Sequence, residues 1–330
     1  MRVLVTGGAG YIGSVTVEAL VAAGHETVVL DDCSTGHAGA VPAGVTHLRQ
    51  NYTVEASTMA ALRDHRIEAI LHCAARSLVG ESIREPARYY RQNVAGGIAL
   101  LDAARAAGVN RVVFSSTAAV YGEPEVTPIP EDAPLRPINP YGETKRTFEG
   151  ALDWYGRAYG MRSVSLRYFN AAGASAAFGE VHDPETHLIP NILGSVERNE
   201  ELLLFGGDYP TPDGTPIRDY IHVVDLADAH IRALEATAAD DAPGFAAYNL
   251  GSGTGFSVLE VVAAAEAVVG HAIPTRIGPR REGDPPILIA RPDRARETLG
   301  WQASHGTLAE MIGSAWAWRR AHPAGYSDGA

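Results

Sequence analysis

Cysteine is close to absent from this chain: of its 330 residues only Cys33 and Cys73 carry a thiol. Two cysteines build neither a disulfide framework nor a CxxC metal site, and the pattern suits a reducing compartment. Long hydrophobic runs are missing too. The nearest, Ser257 to Gly270, is interrupted by Glu260 and Glu266, whereas a membrane-spanning helix needs roughly 18 uninterrupted apolar residues. The first apolar run stops at Thr6, too short for a secretory signal. A soluble, cytoplasmic protein with no membrane partner is therefore expected. Positive charge is in deficit: 27 Lys plus Arg against 39 Asp plus Glu give a formal net charge of -12. A phosphate backbone would be repelled, no basic stripe offsets the deficit, and nucleic acid is not an expected partner.

What is present is an ordinary globular balance, 46% hydrophobic and 20% charged, with length for roughly two domains. Short β-branched runs at Arg2–Thr6, Thr27–Leu30, Val45–Leu48, Ala69–His72, Arg111–Ser115 and Arg162–Leu166 predict strands. Between them, amphipathic stretches at Tyr11–Ala23, Ser57–His65, Ser82–Ala107 and Tyr141–Tyr159 predict helices. This alternation predicts an α/β fold, a doubly wound parallel sheet of Rossmann type, with sites at the carboxyl ends of the strands. After Ala171 proline and glycine punctuate loops and strands are expected to be fewer, with helices at Val258–Val269 and Leu308–Trp318. The expected division is residues 1–170 as a dinucleotide-binding domain and 171–330 as a smaller α/β substrate domain, with segments around 218–255 packing back on the first. The last residues, 322–330, show no periodicity and are expected to fray.

Gly7-Gly8-Ala9-Gly10-Tyr11-Ile12-Gly13 follows the first strand and opens the first helix. Glycines at 7, 10 and 13 permit a tight turn, close approach of a pyrophosphate and close helix–strand packing, while the helix N-terminus offers free N–H groups. Asp31, eighteen positions beyond Gly13, ends the second strand, and no arginine follows at 32–36. A carboxylate there accepts from the ribose hydroxyls and repels a 2′-phosphate, which selects NAD over NADP. Tyr141 and Lys145 stand four apart, on one face of a helix. A nearby ammonium favours the phenolate, so Tyr141 is a candidate base for an alcohol proton. Thr117, at the end of a strand, supplies a hydroxyl that donates to a developing oxyanion or relays the proton.

The motifs TGGAGYIG, SSTAAVYG, NPYGETK and LRYFNAAGA resemble the extended short-chain dehydrogenase/reductase family. In the second half, THLIPN, LLLFGGDYPTPDGTPIRDYIHVVDLADAH, YNLGSG, RREGDPP and HPAGY are similar to its UDP-galactose 4-epimerase branch. The resemblance implies that Tyr11 and Ile12 join the glycines at the pyrophosphate. Asp31, Asp32, Cys33, Ser34 and Thr35 wrap the adenosine ribose, and Asn51 with Tyr52 lies at the adenine. Asn51 replaces a common aspartate, but its carbonyl still accepts. Cys73, Ala74, Ala75, Asn93 and Phe169 line the cofactor, and Lys145 also bonds the nicotinamide ribose. Ser77 departs from a frequent lysine, with Arg76 a possible replacement. For the nucleotide sugar the resemblance implies Asn170, Leu188, Phe205, Arg218, Arg281, Asp284 and Leu288, besides Thr117 and Tyr141. Two arginines suit a diphosphate, although Arg218 before Asp219 is also the pattern of a surface ion pair. His222 and Asp225 read as structural, and no metal is expected, since they lack further ligands at suitable spacing.

The implied reaction is reversible C4 epimerisation of UDP-glucose and UDP-galactose through a 4-keto sugar with retained NAD. Leu288 stands where a bulky tyrosine excludes 2-acetamido sugars and a small residue admits them, so UDP-N-acetylhexosamines, and UDP-pentoses, remain alternatives. A 4,6-dehydratase would carry Asp-Glu after Thr117, where Ala118 and Ala119 stand. A non-catalytic NAD-binding regulator would not need the Thr117–Tyr141–Lys145 set. A homodimer is implied, through the helices Ser82–Ala107 and Tyr141–Tyr159; Ala95, Leu100 and Ala103 suit close packing there, or equally the face towards the sheet.

Overall fold

The computed structural model describes residues 1–281 and 284–327. The first half runs β1 (Arg2–Thr6), α1 (Tyr11–Ala22), β2 (Glu26–Leu30), β3 (Thr46–Leu48), α2 (Glu55–Asp64), β4 (Ala69–His72), α3 (Val79–Arg84), α4 (Pro86–Tyr89), α5 (Gly96–Ala107), β5 (Arg111–Ser115), α6 (Pro140–Tyr159) and β6 (Arg162–Tyr168). The second half runs β7 (Asn170–Ala172), α7 (Leu188–Arg198), β8 (Leu202–Phe205), β9 (Ile217–His222), α8 (Val223–Ala236), β10 (Phe245–Leu250), β11 (Gly255–Ser257), α9 (Val258–Val269), β12 (Thr275–Gly278), β13 (Ile287–Leu288), α10 (Asp293–Leu299) and α11 (Leu308–Ala321).

Seven parallel strands in the order β3-β2-β1-β4-β5-β6-β10 form the central sheet. Its central strands β1, β4 and β5 are near-continuous apolar runs because both faces are covered. On one face α1 and α8 pack, burying Val17, Leu20, Leu226 and Leu234 with Val3, Val5 and Leu71. On the other, α2, α5 and α6 bury Leu62, Leu100, Leu101, Phe148 and Leu152 with Leu4, Ile70 and Phe114. The seventh strand, β10, comes from the second half of the chain.

Strands do not become fewer after Ala171. β7 to β13 span two to six residues each, and β9 alone pairs with β7, β11 and β13. A third core, with Ile192, Leu193, Leu204, Val261 and Ile312, lies under α7, α9 and α11. Nor is Ser82–Ala107 one helix. Glu85 leaves the helical region (φ -126, ψ 53) before Pro86, as a pre-proline residue does, and Tyr90–Ala95 winds as a π-helix that turns Asn93 inward. Leu100 and Ala103 face the sheet, fully buried, so they are not partner-facing. The tail does not fray as far as it is described: the Tyr326 hydroxyl donates to Gly179 O and accepts from Gly179 N–H, and its ring packs against His37 and Trp318.

Candidate active site

β1 ends in the glycine turn. A side chain at Gly13 would place its Cβ 2.0 Å from Gly7 O, and one at Gly7, where φ is +75, would meet Ala74 N at 2.5 Å. Glycine is therefore required at both positions. Gly10 caps α1 without a side-chain bond, so the first N–H groups of the helix stay available to an anion. At the end of β2 the Asp31 carboxylate accepts from Ala9 N–H (3.0 Å) and Cys33 N–H (2.8 Å), and burial raises its pKa. Asp32 accepts from Ser34 N–H and from the Asn51 amide at 2.8 Å. Asn51 Oδ1 already takes the N–H and hydroxyl of Thr53, so its carbonyl is committed to the turn. Thr35 leads into Gly36, where a Cβ would strike Ala9 O, so that stretch lies against the glycine turn. The Tyr52 hydroxyl donates to Gln92 O and its ring lies edge-on to His72.

Across the sheet, Cys73, Ala74 and Ala75 follow β4. Cys73 Sγ lies 3.3 Å from the Ser115 hydroxyl oxygen, and burial pushes its thiol up to about 11. Asn93 clamps the same loop: Oδ1 accepts from Arg76 N–H, while the amide donates to Arg76 O and the Thr144 hydroxyl. Ser77 is exposed, and Arg76 lies 4.0 Å from Glu81. The glycine turn, Asp31 and Asn93 are a donor set and a cradle that fit a dinucleotide.

α6 starts at an Asn139 side-chain cap and carries Tyr141 and Lys145 inward, both buried. Lys145 Nζ donates to Ser115 O at 2.7 Å and sits 4.6 Å from the Phe114 ring centroid and 5.9 Å from that of Tyr141. Burial lowers the ammonium to about 8, against the opposing charges of Cys73 and Glu149. Burial raises the Tyr141 phenol to about 12, and a hydrogen bond with Thr117 draws it back down. Phe169 packs on the same side with Ala118, Val120 and Ala290, and Leu288 lies against that cluster.

The substrate candidates converge from the second half. The Asn170 amide donates to Asp219 O, and Leu188 opens α7. Phe205 ends β8 with the Arg281 guanidinium 4.3 Å from its ring centroid. Arg218 is not paired with Asp219: it binds Asp284, Ile217 O and Pro285 O. Asp219 is buried, with Ser252, Gly253 and Ala290 donating to it. His222 Nδ1 accepts from Val224 N–H and Asp225 accepts from Ser304 and His305, both structural as the sequence suggests. Sequence reasoning missed the buried ion pair of Glu149 and Arg167, which holds α6 against β6, and the run Glu180–His187, whose signal was five side chains of ligating type within eight residues, four of which cluster.

A nucleotide cradle at one end of a parallel sheet and a buried Thr–Tyr–Lys set beside it define a dinucleotide-dependent enzyme of alcohol–ketone chemistry. The profile of the "NAD dependent epimerase/dehydratase family" matches residues 3–251, and the chain belongs to that family. It is 47% identical to a UDP-glucose 4-epimerase of Corynebacterium glutamicum, over 97% of this chain and 96% of that one. To a UDP-glucose 4-epimerase of Streptomyces lividans it is 48% identical, over 99% and 98%. Among solved structures, the UDP-glucose 4-epimerase of Brucella ovis in complex with NAD superposes with TM-score 0.92 at 45% identity, covering 96% of this chain and 98% of that one. The enzyme of Bifidobacterium longum in complex with NAD+ and UDP gives 0.93 at 35% identity, covering 99% and 100%.

Proposed function

We propose that this chain interconverts UDP-glucose and UDP-galactose at C4 with retained NAD. The observation that carries this is the buried Tyr141–Lys145 pair with Thr117 at its side, in a chain of this family. NAD would be held by Gly7, Gly10, Tyr11, Ile12 and Gly13 at its pyrophosphate, by Asp31 to Thr35 at the ribose and by Cys73–Ala75, Lys145 and Phe169 towards the nicotinamide, and it supplies a reversible hydride acceptor. Tyr141 takes the proton of the sugar's 4-hydroxyl, Thr117 steadies the oxygen, and the Lys145 ammonium stabilises the phenolate. Tyr141, raised by burial and drawn back down by its hydrogen bond with Thr117, stands at about 12 in the free protein, and positive charge that a bound NAD would add beside it would favour the phenolate further. After the 4-keto sugar presents its other face, Tyr141 returns the proton. Arg218 and Arg281 anchor the diphosphate and Asp284 the uridine ribose, so the sugar turns while UDP stays fixed.

Purified protein given UDP-galactose and no added NAD is expected to form UDP-glucose, followed by the anomeric proton signals in NMR. Tyr141→Phe should lower kcat about 100- to 10,000-fold with NAD content unchanged. No conversion even with NAD supplied would remove the assignment. A homodimer belongs to the same reading: Val79 and Ile83 on α3, Tyr90 beside α4, and Trp154 and Tyr159 on α6 leave apolar side chains exposed on helices that pack together. Sedimentation equilibrium should give twice the chain mass. Cys73 is a free thiol, which suits a reducing cytoplasm.

A further inference from the structure

Between β7 and α7 the chain reads Glu180-Val181-His182-Asp183-Pro184-Glu185-Thr186-His187. Four of these side chains meet. His187 Nδ1 lies 2.8 Å from Glu180 Oε1 and 3.1 Å from Glu185 Oε1; His182 Nδ1 lies 3.1 Å from Glu180 Oε1 and 3.7 Å from Glu185 Oε2. One ligating atom from each residue falls within 4.8 Å of the other three. Zn–N and Zn–O bonds of about 2.0–2.2 Å in a tetrahedron place ligand atoms about 3.3–3.6 Å apart, and the separations here straddle that edge length.

We propose that Glu180, His182, Glu185 and His187 bind a divalent transition-metal ion of the zinc class. Two imidazoles and two carboxylates are borderline donors that suit such an ion better than calcium or magnesium, and the two carboxylates balance its charge. The independent observation is His182 Nδ1. That atom is buried and, although 3.1 Å from a carboxylate oxygen, has no hydrogen-bond partner among the described residues. At His182 the nitrogen is not aligned with the carboxylate oxygen as a plain ion pair would be, whereas His187 Nδ1 hydrogen-bonds Glu185 Oε1, a bond that a shared ion would replace. Arg319, whose charge reaches Glu185 and Glu180, is itself held by Glu197.

The position gives such an ion a task. His187 is the residue before Leu188, where α7 begins, and the His182 ring lies edge-on to Tyr11, 6.3 Å between centroids, on the first turn of α1. The ion would brace the loop that leads from β7 into α7 and packs against the first turn of the cofactor helix. Zinc binding itself is independent of the epimerase reading.

Tag-free protein, stripped with chelator and dialysed, would be titrated with zinc chloride by calorimetry, and its retained metal counted by mass spectrometry after desalting. One zinc per chain is expected. His182→Gln and Glu185→Gln, which keep size and hydrogen-bonding capacity, should each weaken binding at least about tenfold with circular dichroism unchanged. Should either variant fail to fold, X-ray absorption at the zinc edge of the wild type decides: two imidazoles in a nitrogen–oxygen shell with no sulfur support the site. Sulfur in the shell, no retained zinc, or zinc that both folded variants hold equally (an adventitious ion only) overturns it and leaves a cluster of ion pairs.

Discussion

Lys145 is the only lysine in the chain; every other cation among its 27 Lys and Arg is arginine. The site explains why arginine would not serve there: a guanidinium stays charged and demands a fork of acceptors, whereas an ammonium accommodates burial with a shifted pKa. Ser115 O is its one hydrogen-bond acceptor among the described residues, and burial brings Lys145 to about 8. Cofactor-free protein labelled with 13C-lysine should therefore show a single side-chain carbon signal titrating near pH 8, charged below and neutral above; a midpoint above 10 would mean that the ammonium is solvated. Leu288 carries the second residue-scale prediction. It lies opposite Arg218 across β13 and β9 and packs towards Ala118 and Phe169. Added bulk there should tell against a 2-acetamido group. Leu288→Tyr is expected to raise the kcat/KM ratio for UDP-galactose over UDP-N-acetylgalactosamine at least about tenfold, and an unchanged ratio would refute the size argument.

At the scale of elements, what was legible in the sequence was local. The strands Arg2–Thr6, Ala69–His72 and Arg111–Ser115 and the helix Val258–Val269 were readable to the residue, because apolar periodicity and flanking glycines set their ends. The interruption of Ser82–Ala107 was signalled only by Pro86, and the π-turn around Asn93 by nothing, since it answers to a loop and a helix distant in sequence. The candidates Tyr141 and Lys145 were recognisable from their spacing and Thr117 from its place at the end of a strand. What supports them was not: Glu149 takes Arg167 at 2.6 Å and the Ser116 hydroxyl at 2.6 Å, all buried, pinning α6 to β6 and the end of β5. Removing one partner leaves a buried charge uncompensated. Glu149→Ala is expected to cost about 3–5 kcal/mol in urea unfolding, and to lower kcat more than it changes KM, because the helix that carries Tyr141 loses its anchor. A loss below about 1 kcal/mol would show that water reaches Arg167 and the pair is not sealed.

At the scale of the whole molecule, the layered packing seals three histidines in their neutral form, and this sets its acid stability. His230 donates from Nδ1 to Leu226 O and accepts at Nε2 from the Ser115 hydroxyl; His222 accepts at Nδ1 from Val224 N–H. His72 lies between Tyr52, Phe114 and Phe148. Burial lowers all three: His72 to about 3, with the charge of Lys145 adding to it, and His222 and His230 to about 4. The unfolded chain protonates each near pH 6.5 and the folded chain only near 3–4, so between those values the unfolded state holds more protons and acid favours it. Each histidine contributes roughly 1.4 kcal/mol per pH unit within that window. The buried carboxyls of Asp31 and Asp219, raised from their ordinary range, oppose the slope at its acid end. His182 and His187, raised to about 9 and 10, are protonated in both states below pH 6.5 and add nothing there. The urea midpoint measured in chelator should accordingly hold near pH 7 and fall steeply between pH 6 and 5. His230→Gln, which cannot titrate, should flatten that fall by about a third, and a midpoint independent of pH from 7 to 5 would show that these rings are already charged in the folded protein.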